Sequence, residues 1–584
     1  MHLRSPQYRA LIYIVFLVAI TLRIAAPNID RSIIVGDEST YNYSALSILK
    51  HKVFVREVTG ELYRGELPIH PTSALSPGYP VYIALIYKVF GTAERNIFVS
   101  HIVLSIVAFW LMYRILETLK VSRIGMLASL SVAAIYPGFL YNIDRMLTEH
   151  LYLTLFLAFI YLFLTGAFNR NLMRLAGAGF VLGLATHVRA QAVPFLILGI
   201  AFLVIYGTDG RQRRREVGAF LGLFLLCMLP WWIRNYVVFH KLILLSDAGD
   251  GARIWGAVPY FLDMADTANK TLNQIAKENY LAAPFSYIRW KLFGYMNYMW
   301  ADVWDEKITH PGQFLQRAAL ITQLLVIVPA IAATPLIARK RIPSWTFVAC
   351  VPLVVTLLNL PFHGLPRYAF IATPYVILTI GMLLTKANRT EPAGLSHSQL
   401  ISHSVAHSAF FYFSAVFAVW ILYSVYFFPH FMARDMGSYR IGKYSQGSIE
   451  ALERGPLVLD KRYDLSEILI ENSGRTVGTN RFRNPPDAPG IFKFEAMNAG
   501  ADLTKVTLDI RGGAPYDYVT LYWTSKSQPD LSESRAYRIP RFRFETERSF
   551  YIEGDAEKFL LVPSVLLGNK FRIEAIRVAK FKTP

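Results

Sequence analysis

Long apolar runs recur along most of this 584-residue chain, and they restrict its fold more than any other feature. Runs of membrane-spanning length begin near residues 9, 96, 124, 149, 173, 191, 217, 318, 344, 368 and 406. A spanning helix needs about 20 mostly apolar residues, because each backbone polar group inside a bilayer must find its partner within the segment. Since 54% of the residues are hydrophobic and 17% are charged, we predict a polytopic α-helical membrane protein with about 11 transmembrane helices.

Basic residues in the short loops set the orientation of these spans. When the N-terminus lies inside, one set of loops carries Arg4, Arg9, Lys120, Arg123, Arg170, Arg174, the arginines of 211–215, the basic triplet at 339–341, Lys386 and Arg389. This positive-inside pattern holds only if the shorter apolar run at 76–91 does not span the membrane. We therefore predict that 76–91 is an amphipathic or re-entrant helix at the outer surface, and that residues 28–95, 142–148, 234–317 and all those after 429 lie outside.

The chain changes character after about residue 435, where apolar and polar residues alternate with period two. The clearest alternations are at 504–512, 517–525, 548–554, 558–564 and 570–578, with Gly, Pro, Asp and Ser clustered between them. Alternation of this kind is typical of antiparallel strands with one buried face. We therefore predict two domains, a transmembrane domain at 1–430 and an extracytoplasmic, jelly-roll-like β-sandwich domain at 431–584.

The net charge of +19 and the pI of about 9.6 do not indicate a nucleic-acid partner. Many of the basic residues fall in short loops between apolar runs, where they determine orientation. Cys227 and Cys350 both lie inside apolar runs, so no disulfide framework is predicted. Membrane lipids are the partner that the composition itself requires.

Six short segments, which follow one another between residues 36 and 378, resemble one group of membrane enzymes. They are GDESTYNYSA (36–45), HPTSALSPGYPVYIALIYKVFG (70–91), MLTEHLYLTLFLAF (146–159), GLATHVRAQAVPFL (183–196), PWWIRNYVVF (230–239) and LPRYAFIATPYVIL (365–378). Together they resemble the bacterial relatives of the protein O-mannosyltransferases and the lipid A aminoarabinose transferases, which are glycosyltransferases of the GT-C type. The β-rich tail is not covered by this resemblance.

The resemblance implies an inverting membrane glycosyltransferase that moves a single sugar from a polyprenyl-phosphate carrier to an extracytoplasmic acceptor. The donor would be a polyprenyl-phosphate sugar, and the acceptor a glycolipid, a polysaccharide or a protein. The location implied is the bacterial inner (plasma) membrane. The outer loop 234–317 is long for a connector, so we predict that it forms a lid over the donor cavity. The alternative is a transporter or flippase of lipid-linked glycans. Internal repeats would indicate that class, and the sequence has no such repeat.

Three carboxylates are predicted at the catalytic site, on segments that carry the resemblance. Asp37 is the family-matched base that takes the proton of the acceptor hydroxyl; the alternative is that it only caps the following helix. Glu38 is expected to bind the acceptor or to position the base. Glu149 matches the second acidic position of the family. It is expected to complete an acidic pair with Asp37 or to share a divalent metal ion with it, and a plain helix-start role stays open.

Cations and neighbouring residues are predicted to hold the donor. Arg189 and Arg367 lie at the outer ends of apolar runs, where a planar guanidinium suits the oxygens of a lipid phosphate; the alternative for each is an interface anchor. Tyr368 follows Arg367 in the matched segment and His70 precedes the surface helix, so both are expected to contact substrate. Arg234 also lies on the outer side, with a helix-end anchor as an equal alternative.

Overall fold

The structure is a computed structural model. It describes residues 5–30, 37–55, 71–207, 210–246, 256–258, 271–282, 284–301, 303, 313–362, 364–386, 397–429, 432, 448–471, 474–475, 480–484, 489–512, 517–526, 529–530, 536–541, 547–564 and 570–583. The chain forms two compact units: Met1–Gly249, Pro329–Leu358 and Tyr368–Ala418 make the first, and Asp250–Val328, Asn359–Arg367 and Val419–Pro584 make the second. This division runs differently from the predicted boundary at 430/431, which stays a prediction.

Helices make up nearly all of the described chain before residue 430. Those before residue 240 are α1 (Ser5–Ala25), α2 (Asp37–His51), α3 (Gly78–Phe90), α4 (Glu94–Thr118), α5 (Arg123–Ile135), α6 (Pro137–Tyr141), α7 (Glu149–Phe168), α8 (Leu172–Val188), α9 (Pro194–Tyr206) and α10 (Gly210–Phe239). The later ones are Leu272–Ala282, Pro284–Arg289, Tyr295–Trp300, Gln313–Thr322, Val328–Ala332, Thr334–Ala338, Pro343–Asn359, Pro366–Leu383, His397–Leu422 and Ser448–Glu453. Five-residue π-helical turns at Trp290–Gly294, Gln323–Ile327 and Tyr423–Phe427 continue three of these helices.

The predicted helical membrane protein is confirmed. Within the described part of the chain, six helices are long and apolar enough to cross a membrane: Pro6–Ala25, Glu94–Thr118, Glu149–Phe168, Gly210–Phe239, Ala318–Ala338 and Ser402–Phe427. A helix is present at each of the other predicted span positions as well, but those five helices have only 13 to 18 residues. The count of eleven spans therefore stays a prediction. The run at 76–91 forms the 13-residue helix α3, and its surface position also stays a prediction.

Close packing of α8 against α10 sets the position of the residues that follow α8. A Cβ built on Gly179 would lie 1.9 Å from the backbone oxygen of Phe220, so only glycine lets the two helices approach to this distance. Small residues at a helix contact are typical of membrane proteins, where backbones come close without a hydrophobic driving force. Nε2 of His187 lies 3.1 Å from the backbone oxygen of Cys227, so the end of α8, just before Arg189, is also held against α10.

A buried arginine connects α1 to its neighbours. Arg23 is 2% exposed and donates to the hydroxyl of Ser105 at 3.1 Å and to the backbone oxygen of Ala133 at 3.2 Å, among others. A charged side chain inside a span is costly unless it is hydrogen-bonded. These bonds satisfy the guanidinium and tie α1 to α4 and α5.

The tail is β-rich, as predicted. Its strands are β1 (Leu457–Tyr463), β2 (Leu469–Glu471), β3 (Gly474–Arg475), β4 (Arg481–Arg483), β5 (Ile491–Glu495), β6 (Leu503–Gly512), β7 (Asp517–Ser525), β8 (Ala536–Arg541), β9 (Glu547–Glu553), β10 (Ala556–Val562) and β11 (Lys570–Phe581). One sheet has the order β3-β4-β11-β6-β9, with β1 also paired to β11, and the other has the order β2-β5-β10-β7-β8. All of these pairings are antiparallel.

The core of the sandwich continues into residues that belong to helices of the same unit. Trp290, Phe428 and Met432 are fully buried in one hydrophobic cluster with the inward-facing residues of both sheets, such as Trp523 and Phe550. Phe428 directly follows the span Ser402–Phe427. The sandwich is therefore packed against the end of a membrane-spanning helix.

Candidate functional site

The two adjacent acids at the start of α2 have different surroundings. Asp37 is the first residue of the helix and is exposed, whereas Glu38 is buried at 4% exposure. The carboxylate of Glu38 accepts a hydrogen bond from the backbone N–H of Met146 at 2.8 Å. Two acids in a first turn also complement the helix dipole. Glu38 is thus tied to a second segment of the chain, while the side chain of Asp37 remains accessible.

That second segment, residues 142–148, lies between α6 and α7 and makes contacts with several helices. The carboxylate of Asp144 accepts the N–H of Asn28, just after α1, at 2.8 Å. The backbone oxygen of Ile143 lies 3.0 Å from Nδ1 of His101 on α4. Together with the bond from Met146 to Glu38, these contacts connect the loop 142–148 to α1, α2 and α4.

A buried ion pair lies at the C-terminal end of the loop 142–148, where α7 begins. Arg189 donates through Nη2 to Glu149, the first residue of α7, and through Nε to the hydroxyl of Thr148 at 2.6 Å. The Glu149 side chain is 1% exposed and the Arg189 side chain is 12% exposed. The remaining guanidinium nitrogen, Nη1, is buried and has no hydrogen-bond partner among the described residues. Nη1 of Arg189 is therefore a buried donor that no residue of the described chain satisfies.

Tyr79 on α3 is fully buried and feels the charge of both buried acids. Burial raises the pKa of the Tyr79 hydroxyl well above its usual value, and the negative charges of Glu149 and Glu38 add to this effect. The hydroxyl lies 3.1 Å from Nε2 of His101. In the neutral ring, Nδ1 of His101 donates to the backbone oxygen of Ile143, so Nε2 accepts a hydrogen bond from the Tyr79 hydroxyl.

The start of α3 is fixed on two sides. A Cβ on Gly78 would lie 2.7 Å from the carbonyl carbon of His187, so α3 begins in direct contact with the end of α8. Arg234 on α10 donates to the backbone oxygen of Thr72 at 2.9 Å and stacks over the ring of Trp231 at 4.8 Å. These contacts favour the anchoring role for Arg234 and hold the segment before α3 against α10.

The remaining predicted site residues are placed as follows. Arg367 and Tyr368 are half-buried in the first turn of the helix Pro366–Leu383. They fall on opposite sides of the division between the two compact units. His70 lies outside the described residues, which resume at residue 71. Substrate contact by these three residues stays a prediction.

The acids do not by themselves form a metal site in the described structure. Among the residues that the structure describes, no three His, Cys, Asp or Glu side chains are grouped closely enough to hold a metal ion. Glu149 is also occupied by Arg189. Metal binding by Asp37 and Glu149 stays a prediction.

Sequence analysis missed residues that support this site. Thr148 accepts a hydrogen bond from Arg189 and orients it. In the sequence, only its position beside Glu149 could have indicated this role. His101 and Tyr79 lie in apolar helices, and an ionisable residue inside a predicted span is a recognisable signal. His150 is 2% exposed, and its ring lies 5.5 Å from that of His101. The side chains of Thr148, His101 and Tyr79 thus form buried hydrogen bonds around the candidate site.

Residues 70–233 match the family model described as dolichyl-phosphate-mannose-protein mannosyltransferase. This segment contains Glu149, Arg189 and the segments at 70–91, 146–159 and 183–196 that carry the predicted resemblance. The resemblance is therefore confirmed over that part of the chain. A search of curated proteins gives no match.

The solved structures that match this chain are similar to it only distantly. The apo oligosaccharyltransferase of Archaeoglobus fulgidus is 14% identical with a TM-score of 0.41, over 72% of this chain and 56% of that chain. ArnT of Cupriavidus metallidurans bound to undecaprenyl phosphate is 12% identical with a TM-score of 0.39, over 76% of this chain and 79% of that chain. Arabinosyltransferase EmbB of Mycobacterium smegmatis is 11% identical with a TM-score of 0.35, over 100% of this chain and 66% of that chain. This chain thus spans little more than half the length of the archaeal enzyme, and these likenesses assign no residue or substrate to it.

Proposed function

We propose, from the match of residues 70–233 to the family model described as dolichyl-phosphate-mannose-protein mannosyltransferase, that this chain is a membrane glycosyltransferase. It moves one sugar from a polyprenyl-phosphate carrier to an acceptor outside the cytoplasm. The observation that carries the proposal is the guanidinium of Arg189, which is fixed by Thr148 and Glu149 and keeps Nη1 buried without a partner among the described residues. A buried donor of this kind suits the oxygen of a phosphate.

The chemistry is a single displacement at the anomeric carbon of the donor sugar. The acceptor hydroxyl oxygen forms the new bond to that carbon while the bond to the phosphate oxygen breaks. The leaving electron pair stays on the polyprenyl phosphate, and the hydroxyl proton goes to the carboxylate of Asp37. Attack from the face opposite the phosphate inverts the anomeric configuration. The exposure of Asp37 supports this role, because a base must meet an acceptor that arrives from water.

The leaving phosphate needs more positive charge than Arg189 alone provides. Arg189 and Glu149 together are neutral, whereas the departing phosphate gains negative charge. We assign the additional cation to Arg367, with Tyr368 beside it as a hydroxyl donor. Positioned cations at the developing charge are among the largest contributions to catalysis.

Glu38 acts as a positioning residue in this proposal. Its carboxylate is held by the N–H of Met146, so it fixes the first turn of α2 and the direction in which Asp37 points. His70 remains assigned to substrate contact from its place in the sequence, before α3. The acceptor class is a glycolipid, a polysaccharide or a protein.

The test is transfer by the purified full chain reconstituted in liposomes. A radiolabelled polyprenyl-phosphate sugar is incubated with lipid, glycan and protein fractions of a cell envelope, and the products are analysed for a new glycosidic bond of inverted configuration. Label that crosses the liposome membrane without forming such a bond would instead establish the transporter.

The proposed location is the bacterial inner membrane, with the β-sandwich outside the cytoplasm. Cysteines introduced singly at exposed tail positions, such as Met497, and at the basic start of α10, residues 211–215, report the two sides in intact cells. A membrane-impermeant maleimide should label the tail cysteine and not the α10 cysteine. Labelling of the α10 cysteine alone would invert the proposed orientation.

A further inference from the structure

Five aromatic rings from five different helices form a continuous row in the first compact unit. Neighbouring ring centroids are 5.1, 6.0, 5.5 and 5.9 Å apart, which is within the range of favourable aromatic pairs. We call these five residues the ring row. In order, they are Tyr41 on α2, Tyr79 on α3, His101 on α4, His150 on α7 and Phe370 on the helix Pro366–Leu383. The ring row therefore joins helices that are far apart in the sequence.

The centre of the ring row is fixed by hydrogen bonds. The fully buried ring of His101 accepts the Tyr79 hydroxyl at Nε2, over 3.1 Å, and donates from Nδ1 to the backbone oxygen of Ile143, over 3.0 Å. An imidazole with both nitrogens bonded in this way keeps one tautomer and one orientation. Tyr79 is fully buried too, and it cannot turn without losing its bond to His101. Because buried, closely packed side chains transmit strain, a displacement at one end of the ring row is passed on to the other end.

Tyr41, at one end of the ring row, lies on the same face of α2 as Asp37. Residues four positions apart are neighbours on the surface of a helix. The ring of Tyr41 meets that of Tyr79 edge-on, with 88° between the two planes. This contact limits the rotation of α2 about its own axis, and the direction of the Asp37 side chain depends on that rotation. The bond from the N–H of Met146 to Glu38 holds the same turn of α2.

His150 brings the ring row to the ion pair that is proposed to hold the donor. It directly follows Glu149, the partner of Arg189. Its ring is 2% exposed and packs edge-on against Phe370, with 74° between the planes. The start of α7 is thus held between His101 on one side and Phe370 on the other. The same row of contacts therefore acts on the helix of Asp37 and on the helix of Glu149.

Packing alone does not account for the polar rings of the row. Tyr79, His101 and His150 are at most 2% exposed. Nε2 of His150 is buried and has no hydrogen-bond partner among the residues that the structure describes. An atom of this kind costs stability, whereas an apolar ring would fill the same space without that cost. A satisfied polar group such as His101, in contrast, restricts a core to one arrangement.

We propose that the ring row positions the base Asp37 relative to the donor phosphate at Arg189. Tyr41 and His101 are then positioning residues of sugar transfer, because they act through the helices that carry the reacting groups. This inference rests on the proposed function and adds residues to it that have no contact with substrate. Displacement of a reacting group by about 1 Å can lower a rate by about a hundredfold. Loss of a ring should therefore slow the chemical step and leave donor binding unchanged.

The experiment compares variants of the full chain in liposomes that remove or keep a ring. Tyr41→Leu and Phe370→Leu each remove one end of the ring row, and Tyr41→Phe keeps the ring. The matched control is Phe163→Leu, because Phe163 on α7 is also buried and has ring contacts, with Phe202 and Phe347 among others, outside the ring row. The kcat, the KM for a polyprenyl-phosphate sugar and the unfolding temperature are measured for each variant.

Tyr41→Leu should lower kcat by about 10- to 100-fold and leave the KM for the donor near that of the parent. Phe370→Leu should lower kcat to a similar extent. Tyr41→Phe and Phe163→Leu should keep the parent kcat, although Phe163→Leu should lower the unfolding temperature. In the double variant Tyr41→Leu/Phe370→Leu the losses of stability should add, because three rings separate the two residues. The losses in kcat should not add, because either change already interrupts the ring row.

Hydrogen exchange of residues 37–44 of α2 reports the ring row without a transfer assay. Exchange should become faster in Tyr41→Leu and in Tyr79→Phe, which removes only the hydroxyl that bonds His101. It should stay unchanged in Phe163→Leu, since that residue lies outside the ring row.

Three results would overturn the inference. Unchanged exchange of α2 in Tyr41→Leu would show that the ring row does not hold this helix. Parent kcat in Tyr41→Leu and Phe370→Leu, from a parent chain that does transfer sugar, would refute the positioning role and leave the proposed function intact. An equal loss of kcat in Phe163→Leu would assign the rings a general role in stability. A parent chain that transfers no sugar would instead refute the proposed function itself, and the positioning role with it.

Discussion

Arg189 and Glu149 form an ion pair between the end of α8 and the start of α7. Glu149 is 1% exposed, so its carboxylate would be a costly buried charge without Arg189. The pair joins the two helices in the absence of substrate. Nη1 of Arg189 stays able to donate a hydrogen bond to one more oxygen atom. The structural role and the donor-binding role of Arg189 therefore have to be measured separately.

Arg189→Ala should reduce both thermal stability and donor affinity. Removing one partner of a buried pair costs about 3–5 kcal/mol of stability. Losing a hydrogen bond to a charged phosphate costs about 1.5–3 kcal/mol of binding. The double variant Arg189→Ala/Glu149→Gln removes the orphaned charge, so it should regain much of the stability while donor affinity stays low. Thermal unfolding and equilibrium binding of a polyprenyl phosphate measure the two effects. Normal donor affinity in the double variant would leave Arg189 with a structural role only.

Asp37→Asn should lower sugar transfer by about 10²–10⁴, the usual contribution of a positioned base. The change keeps the size of the side chain and most of its hydrogen bonds, so donor binding and unfolding temperature should change little. Steady-state transfer rates measure the loss, and the matched control is Asp30→Asn, an exposed acid in the loop after α1. Near-normal turnover in Asp37→Asn would reduce Asp37 to a helix cap.

Gly78→Ala should lower both stability and transfer. The new Cβ would lie 2.7 Å from the backbone of His187, so α3 must move away from the end of α8, beside Arg189. Overpacking of this kind costs about 1–3 kcal/mol. Gly222→Ala is the control, because no atom lies within 4 Å of a Cβ at that helical position. It should be neutral or slightly stabilising. Unfolding temperatures and transfer rates of the two variants decide between these outcomes, and equal behaviour would disprove the close contact.

The stability of the sandwich should depend on pH through Asp555. Burial raises the pKa of Asp555, but the hydrogen bonds from Lys580 and from the N–H groups of Ala501 and Ala499 outweigh burial and leave the pKa below its usual value. A carboxyl whose pKa is lowered by folding contributes stability that is fully present above its unfolded pKa of about 3.9 and is lost as the pH falls through the folded value.

Asp555→Asn should therefore destabilise the tail at neutral pH by about 3–5 kcal/mol, because it leaves the fully buried Lys580 without its acid. The difference in unfolding free energy between Asp555→Asn and the parent should become smaller below about pH 4, where the parent carboxyl is also uncharged. Far-UV circular dichroism of thermal unfolding follows both chains across this range. Asp460→Asn, which breaks the more exposed pair with Arg577, should cost about 1 kcal/mol or less. An equal loss at all pH values would show that Asp555 does not titrate with folding.

Membrane helices and the longer strands were predictable because their signals are local. An apolar run of spanning length and an alternation over seven or more residues each bury one surface whatever the rest of the chain does. The five predicted strands correspond to β6, β7, β9, β10 and β11. Strands β2, β3 and β4 have two or three residues, which is too short for a period to be recognised.

The contacts of the candidate site were not predictable in the same way. The acids at 37, 38 and 149 stood out by their position next to apolar runs. The bond from Met146 to Glu38 joins residues 108 apart, and the pair of Arg189 with Glu149 joins residues 40 apart. Such contacts depend on how helices pack, which no local pattern encodes. Sequence reasoning therefore identified the acids but not which of them would be buried.

The central position of β11 has a consequence for biosynthesis. This strand, at residues 570–581, pairs with β1, β4 and β6, which lie 58 to more than 100 positions earlier in the chain. No growing chain can complete the sheet until residue 581 has left the ribosome. Pairing partners so distant in sequence also close slowly. During translation, the edges of β1, β4 and β6 that pair with β11 therefore stay exposed until β11 has been made. We expect the tail to be most susceptible to proteases, and most dependent on chaperones, during that interval.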